Sequence, residues 1–207
     1  MFLTVERAHV GWGFWLQWVL ANTVGFTLAF EVFRFFGPYA FYVLFAPEYA
    51  LMGVMVGVPH WLVLRRQIPG VGRWVLATIG GFAVGGTLAF VALLAANYFG
   101  LFDLIDRDLA AFLALILLYA PIGPLVGIAQ WLVLRRKIAR AGWWVLATTI
   151  ALALFGAFFG LIPAFEWGYY DAGPSVVSAV GGLLAGAITG AALIWLLRQP
   201  VSRVEEG

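Results

Sequence analysis

Long apolar runs fill nearly the whole chain of 207 residues, and only short polar or glycine- and proline-rich stretches interrupt them. A helical run of about 20 apolar residues is long enough to cross the ~30 Å hydrocarbon core of a bilayer. The pattern therefore predicts six transmembrane helices, the first of which is expected to end at Gly37 and Pro38. Their expected limits are about 12–36, 40–65, 74–98, 109–135, 143–166 and 175–198.

The composition favours an all-α integral membrane protein and excludes several kinds of chemistry. Hydrophobic residues make up 64% of the chain and charged residues 11%, whereas a soluble domain carries about 25% charged residues. The absence of cysteine excludes disulfides, thiolate catalysis and cysteine-bound metals. The net charge of +2 lies mostly in short loops, so it indicates orientation in a membrane rather than binding to a nucleic acid.

The basic residues are concentrated on one side of the predicted bundle. If the N-terminus is cytoplasmic, only Arg34 and Arg107 fall on the outer half. Because basic residues accumulate in cytoplasmic loops, both termini are predicted to be cytoplasmic. The basic residues on the inner side are Arg7, Arg65, Arg66, Arg73, Arg135, Arg136, Lys137, Arg140, Arg198 and Arg203.

An internal repeat divides the chain. Residues 53–66, GVMVGVPHWLVLRR, recur 70 residues later as GPLVGIAQWLVLRR, and WVLAT follows both copies. A weaker third copy is expected at 186–198, where Leu193 takes the place of His60 and Gln130. Trp18, Trp74 and Trp144 begin three equivalent outgoing helices. The chain is thus predicted to be one membrane domain, residues 1–207, of three tandem helical hairpins, about 12–66, 73–136 and 143–199, arranged with pseudo-threefold symmetry or as a solenoid-like stack.

The repeated motif resembles one in a group of uncharacterised repeat-bearing membrane proteins of cyanobacteria and Chloroflexi-type bacteria. The similarity lies in the phrase GxxxGxxQWLVLRR followed by WWVLA, and the first hairpin departs from it at Pro59 and His60. The resemblance implies a multi-pass protein of the bacterial cytoplasmic membrane and assigns no activity.

Two repeated features favour packing and anchoring. Glycines spaced by four residues lie on one helix face, where they allow helices to approach closely in lipid. Tryptophan beside arginine is typical of a helix end at the level of the lipid headgroups. The packing glycines are Gly53, Gly57, Gly123, Gly127, Gly182, Gly186 and Gly190, and the anchors are Trp61, Arg65, Arg66, Trp131, Arg135 and Arg136.

Charged residues within a membrane are costly, so Glu31, Arg34 and Glu48 are candidates for a site. Their spacing predicts one cluster in the outer third of the first hairpin. Three roles are open for it: an ion pair that tethers the hairpin, an ion or proton site, or a contact with a partner subunit. His60 is the candidate ligand for a haem or another pigment. Helix interruptions are expected at Pro47, Pro59, Pro121, Pro124 and Pro163.

No nucleophile–base arrangement, metal-ligand spacing or phosphate loop is present in the sequence. The primary hypothesis is a non-enzymatic accessory or scaffold subunit, without a cofactor. It is expected to lie in the bilayer and to pack through its small-residue helix faces against other membrane proteins or further copies of itself. One alternative is a small transporter or channel that uses Glu31, Arg34 and Glu48. The other is a pigment- or quinone-associated subunit of an energy-converting complex, in which His60 contacts the cofactor.

Overall fold

The described residues fold into helices and contain no strand. A computed structural model describes residues 10–43, 45–103, 105–119, 121–161 and 173–199. Seven helices occupy these ranges: α1 (Trp12–Val43), α2 (Phe45–Leu64), α3 (Arg73–Tyr98), α4 (Arg107–Tyr119), α5 (Ile122–Leu134), α6 (Trp143–Leu161) and α7 (Gly173–Arg198). The expectation of an all-helical chain is confirmed within these ranges, while Pro163 lies outside them.

One predicted helix limit and one predicted helix interruption were wrong. Helix α1 continues through Gly37 and Pro38 to Val43. A proline removes one backbone hydrogen bond but has a φ angle that suits a helix, so it does not always end one. Pro59 likewise lies inside α2, which continues to Leu64.

The fourth predicted helix is divided in two. Helix α4 ends at Tyr119 and α5 begins at Ile122, with Pro121 as the N-cap of α5. Pro124 lies in the first turn of α5, where backbone N–H groups have no partner within the helix. The two prolines therefore favour a new helix start at this place rather than one continuous helix from 109 to 135.

Neighbouring helices form a closed ring. Helix α2 packs between α1 and α3, α5 packs between α3 and α6, and α7 packs between α6 and α1. Helix α4 contacts α3 and α6, so α4 and α5 together form one arm of the ring. The sequence left two arrangements open, one with pseudo-threefold symmetry and one as a solenoid-like stack. Because α7 contacts α1, the helices form a closed ring and not an open stack.

Several helices are suited to a bilayer. Among the residues that the structure describes, three stretches are long and apolar enough to cross a membrane, namely Arg73–Tyr98, Phe112–Leu134 and Ser175–Arg198. The shorter Trp143–Phe159 is also apolar. Large apolar side chains are exposed along the outside of the ring, for example Leu20, Leu88 and Leu154. An exposed apolar surface of this extent is typical of a membrane-embedded protein.

The helix ends that carry the arginine pairs gather at one end of the ring, here called the arginine end. Buried residues from the start of α1, the end of α7 and the connections α2–α3 and α5–α6 form one apolar cluster there, which includes Phe14, Leu64, Val71, Leu134 and Leu196. The Arg198 guanidinium donates to the Val10 carbonyl from both Nε and Nη2, at 3.2 and 2.9 Å. Both described ends of the chain therefore lie at the arginine end.

Candidate functional site

Three tryptophans at equivalent positions of α1, α3 and α6, the helices predicted as outgoing, meet inside the ring. Trp18, Trp74 and Trp144 are at most 1% exposed. Their ring centroids lie 6.3, 5.9 and 5.7 Å apart, with interplanar angles of 74°, 77° and 58°. Inclined, edge-to-face packing at such distances is favourable for aromatic rings. We call this group the tryptophan centre, and it closes the interior of the ring toward the arginine end.

Two indoles of the tryptophan centre are held by polar side chains of α5 and α7. Trp144 Nε1 donates to Gln130 Oε1 at 2.8 Å, and Gln130 Nε2 donates to Thr78 Oγ1 at 3.0 Å. Trp18 Nε1 donates to Thr189 Oγ1 at 2.9 Å. Each bond joins two different helices in a buried setting, so it fixes how the helices sit against each other as well as satisfying a polar group.

Within each outgoing helix, the residue four positions after the tryptophan is polar and buried. The Asn22 amide and the hydroxyls of Thr78 and Thr148 each donate to the carbonyl of the tryptophan in their own helix, at 2.9 Å. This i to i−4 pattern satisfies a polar side chain without a partner from another helix. The three equivalent positions therefore carry the same local bond.

The structure corrects the alignment of the third repeat by one helical turn. A Cβ atom on Gly127 would meet Val145 and Thr148 of α6, and one on Gly186 would meet the equivalent Val19 and Asn22 of α1. Gly186 is thus the counterpart of Gly127, rather than of Gly123 as the sequence alignment had it.

Thr189, three residues after Gly186, consequently occupies the position of Gln130, and the prediction that Leu193 does so was wrong. Leu193 is instead the counterpart of the fully buried Leu64 and Leu134. The physical reason is that glycines recur every four residues in α7, so the glycine pattern fits two registers equally well. Only the contact with α1 separates them.

His60 occupies the first of the three equivalent positions, but its polar atoms are unpaired. Its ring stacks on Trp18, with the centroids 4.2 Å apart and an interplanar angle of 18°. The centroids of His60 and Trp74 lie 6.5 Å apart with the rings at 63°. Among the described residues, neither imidazole nitrogen nor the Trp74 indole nitrogen has a hydrogen-bond partner. The first repeat therefore lacks the direct bond that the other two repeats make.

A small cavity lies beside the tryptophan centre. About 30 Å³ is available in it to the centres of water-sized molecules, and its wall includes Asn22, His60, Gln130, Thr148 and Thr189. Pockets that hold drug-sized ligands measure about 300–1,000 Å³. A macrocycle such as haem does not fit between His60 and its neighbours in this arrangement, and the geometry gives the pigment hypothesis no support.

The repeated glycines are used for contacts within the chain. Gly53 and Gly57 face α3, Gly123 and Gly127 face α6, and Gly182 and Gly186 face α1. Helix α2 therefore lies close to α3, α5 lies close to α6, and α7 lies close to α1. Gly190 faces Trp15 and Trp18 instead of backbone atoms. These faces are covered, so they are not available to another protein.

The predicted charged cluster is only partly formed. Arg34 pairs with Glu31 at 2.9 Å, and the Ser175 hydroxyl of α7 donates to the other oxygen of Glu31. The Glu31 and Arg34 side chains are 38% and 31% exposed, so the pair lies at the surface of the ring. Glu48 stands apart: it is 3% exposed, and both carboxyl oxygens lack a hydrogen-bond partner among the described residues.

At the arginine end, two of the repeats keep the predicted pairs of tryptophan and arginine. The Arg65 guanidinium lies over the Trp61 ring at 4.9 Å, and Arg135 lies over Trp131 at 5.4 Å. Arg65, Arg66, Arg135 and Arg136 are exposed. Lys137 Nζ donates to the Pro69 carbonyl at 2.6 Å and so joins the two connections at this end.

The tryptophan centre and its partners were not predicted from the sequence. Trp18, Trp74 and Trp144 were expected only to mark helix starts, and no role was predicted for Thr78 or Thr189. A signal was present, because a polar residue follows each tryptophan by four positions in three equivalent apolar helices.

In comparisons with family models, curated proteins and solved structures, no match was found. The role of this site therefore rests on its own geometry.

Proposed function

We propose that the chain is a non-enzymatic structural subunit of the bacterial cytoplasmic membrane that binds other membrane proteins through the outside of its helix ring. The observation that carries this proposal is the filled centre of the ring, where the three indoles of the tryptophan centre are in mutual contact. A catalyst or an axial channel needs accessible space next to its reactive or coordinating groups.

The proposed topology has six transmembrane segments in three hairpins, with both termini in the cytoplasm. The gathering of the described chain ends and of two connecting segments at the arginine end supports it, since an even number of crossings returns to the same side. The exposed arginines at that end support the cytoplasmic assignment through the positive-inside rule.

Association with partners is assigned to the outer apolar surface, and this differs from the use of glycine faces expected from the sequence. The glycines already contact helices of the same chain. What remains outside is a band of exposed leucines and valines, including Leu20, Leu88, Leu154 and Val180. Within a bilayer, such side chains contact either lipid or the side chains of a neighbouring protein.

Photo-crosslinking in the native membrane tests the proposal. A photoreactive amino acid replaces Leu20, Leu88 or Leu154 on the outside, with the fully buried Leu64 as the control position. We expect a discrete protein adduct from at least one outer position and none from position 64. Purification in mild detergent is expected to give a stoichiometric larger assembly that contains the same protein. Lipid adducts alone, together with a lone monomer after purification, would overturn the proposal.

A second candidate function, an ion or proton site in a small transporter, is favoured by Glu48. A buried carboxyl group without a hydrogen-bond partner is costly and is often retained for function. The matched test compares Glu48→Gln with Glu31→Gln in proteoliposomes. Transport at Glu48 predicts that the first variant abolishes flux while the second, at an exposed ion pair, retains most of it. Equal flux in the wild-type protein and in Glu48→Gln removes this candidate.

A further inference from the structure

At one of three equivalent buried positions inside the ring, the side chain does not make the hydrogen bond to a tryptophan indole that the other two make. Gln130 and Thr189 each accept a hydrogen bond from the indole of the next outgoing helix. At the equivalent position, His60 and Trp74 are neighbours, and their buried ring nitrogens have no hydrogen-bond partner among the described residues. Buried donors and acceptors are normally paired, because leaving them unpaired is costly. The first repeat therefore differs from the other two in having no direct bond between the two side chains.

We infer that His60 binds water inside the ring, in the cavity beside the tryptophan centre, whose wall includes the His60 side chain. A neutral imidazole supplies one acceptor and one donor. A water molecule in the cavity donates to the imidazole acceptor or accepts from the imidazole N–H, so it pairs a nitrogen that has no partner among the described residues.

The dimensions of the cavity agree with this ligand. A water site needs about 10–15 Å³ by the same measure and two to four polar partners. The cavity offers about 30 Å³ and is lined by His60 and further polar side chains, among them Asn22, Thr148 and Thr189. One or two water molecules fit, and larger organic ligands do not.

The wall chemistry also argues against a cation. None of the residues that line the cavity is acidic. A cation needs several oxygen or nitrogen acceptors around it, whereas a neutral molecule that both donates and accepts matches the imidazole of His60, which does the same. The inference concerns the interior, so it is independent of the proposed binding to partners on the outside of the ring.

The repeat supplies its own test variants. His60→Gln copies the second repeat and places an amide where it can accept directly from Trp74, while its N–H₂ group faces Asn22, the counterpart of Thr78. His60→Leu removes the imidazole and with it the acceptor and the donor that hold the water. An atomic-resolution structure of the wild-type protein and of both variants, together with their thermal unfolding in detergent, forms the experiment.

We expect density for water within hydrogen-bond distance of a His60 ring nitrogen in the wild-type protein and its loss in both variants. His60→Gln is expected to unfold at or above the wild-type temperature and His60→Leu below it. Two results would overturn the inference. One is a wild-type map with no density beside His60, or with a direct bond from Trp74 to His60. The other is a His60→Leu protein that is more stable than the wild type, because that would show His60 to be an unsatisfied group in a dry core.

Discussion

Thr189 accepts a hydrogen bond from the Trp18 indole at 2.9 Å across a separation of 171 residues. This bond joins α7 to α1 and therefore closes the ring between the last and the first described helices. It is the counterpart of the bond from Trp144 to Gln130, which joins α6 to α5. Equivalent positions of different repeats thus use different residue types for the same purpose.

Replacing Thr189 with valine is expected to destabilise the protein by about 1–3 kcal/mol, because it leaves the buried Trp18 indole without an acceptor at nearly unchanged volume. Thr87→Val is the matched control, since the Thr87 hydroxyl donates only to the Ala83 carbonyl of its own helix. Thermal or denaturant unfolding in one detergent provides the measurement. Equal losses from both substitutions would mean that the bond between α7 and α1 has no special role.

Alanine substitutions at two adjacent glycines of α3 are expected to have opposite effects on stability. A Cβ atom on Gly81 would lie 2.6 Å from the Val126 Cα atom of α5, whereas one on Gly80 would meet nothing within 4 Å. Gly81→Ala is therefore expected to cost about 1–3 kcal/mol, because the neighbouring backbone must move. Gly80→Ala is expected to be neutral or stabilising, since alanine is the better helix former. If Gly81→Ala is as stable as Gly80→Ala, α3 and α5 do not pack as closely as described.

Two equivalent connections at the arginine end carry a residue with positive φ. Gly70 has a φ of 68°. Arg140 follows it at the repeat offset of 70 residues and has a φ of 56°. A residue with a side chain costs roughly 1–2 kcal/mol in this conformation and glycine does not. Arg140→Gly is therefore expected to raise the free energy of unfolding by up to about 1 kcal/mol, and Gly70→Ala to lower it.

The control for this pair is Arg136→Gly, which removes the same charge at a position outside the positive-φ residues. It is expected to be neutral or destabilising, as glycine loses more backbone entropy on folding. A stability gain in both arginine variants would indicate that the removed charge, and not the backbone conformation, is responsible.

Much of the fold follows from local patterns in the sequence. Apolar runs longer than a bilayer thickness, glycines spaced by four and the 70-residue repeat all depend on residues close together in the chain, and they predict apolar helices with equivalent faces. Local patterns predicted poorly where a proline interrupts or begins a helix. Pro59 sits inside a helix and Pro121 begins one, and the difference depends on what surrounds each proline rather than on its neighbours in sequence.

The sequence by itself determined the helical class, the apolar character and the equivalence of Trp18, Trp74 and Trp144. Only the tertiary structure decided that these tryptophans meet and that α7 closes on α1, and it set the register in which Thr189 matches Gln130. It also left the Glu48 carboxyl group without a hydrogen bond to the pair of Glu31 and Arg34. The physical reason is that each of these features is a contact between helices distant in the chain. Their relative rotation and register are set by close packing and buried hydrogen bonds, which leave no local pattern in the sequence.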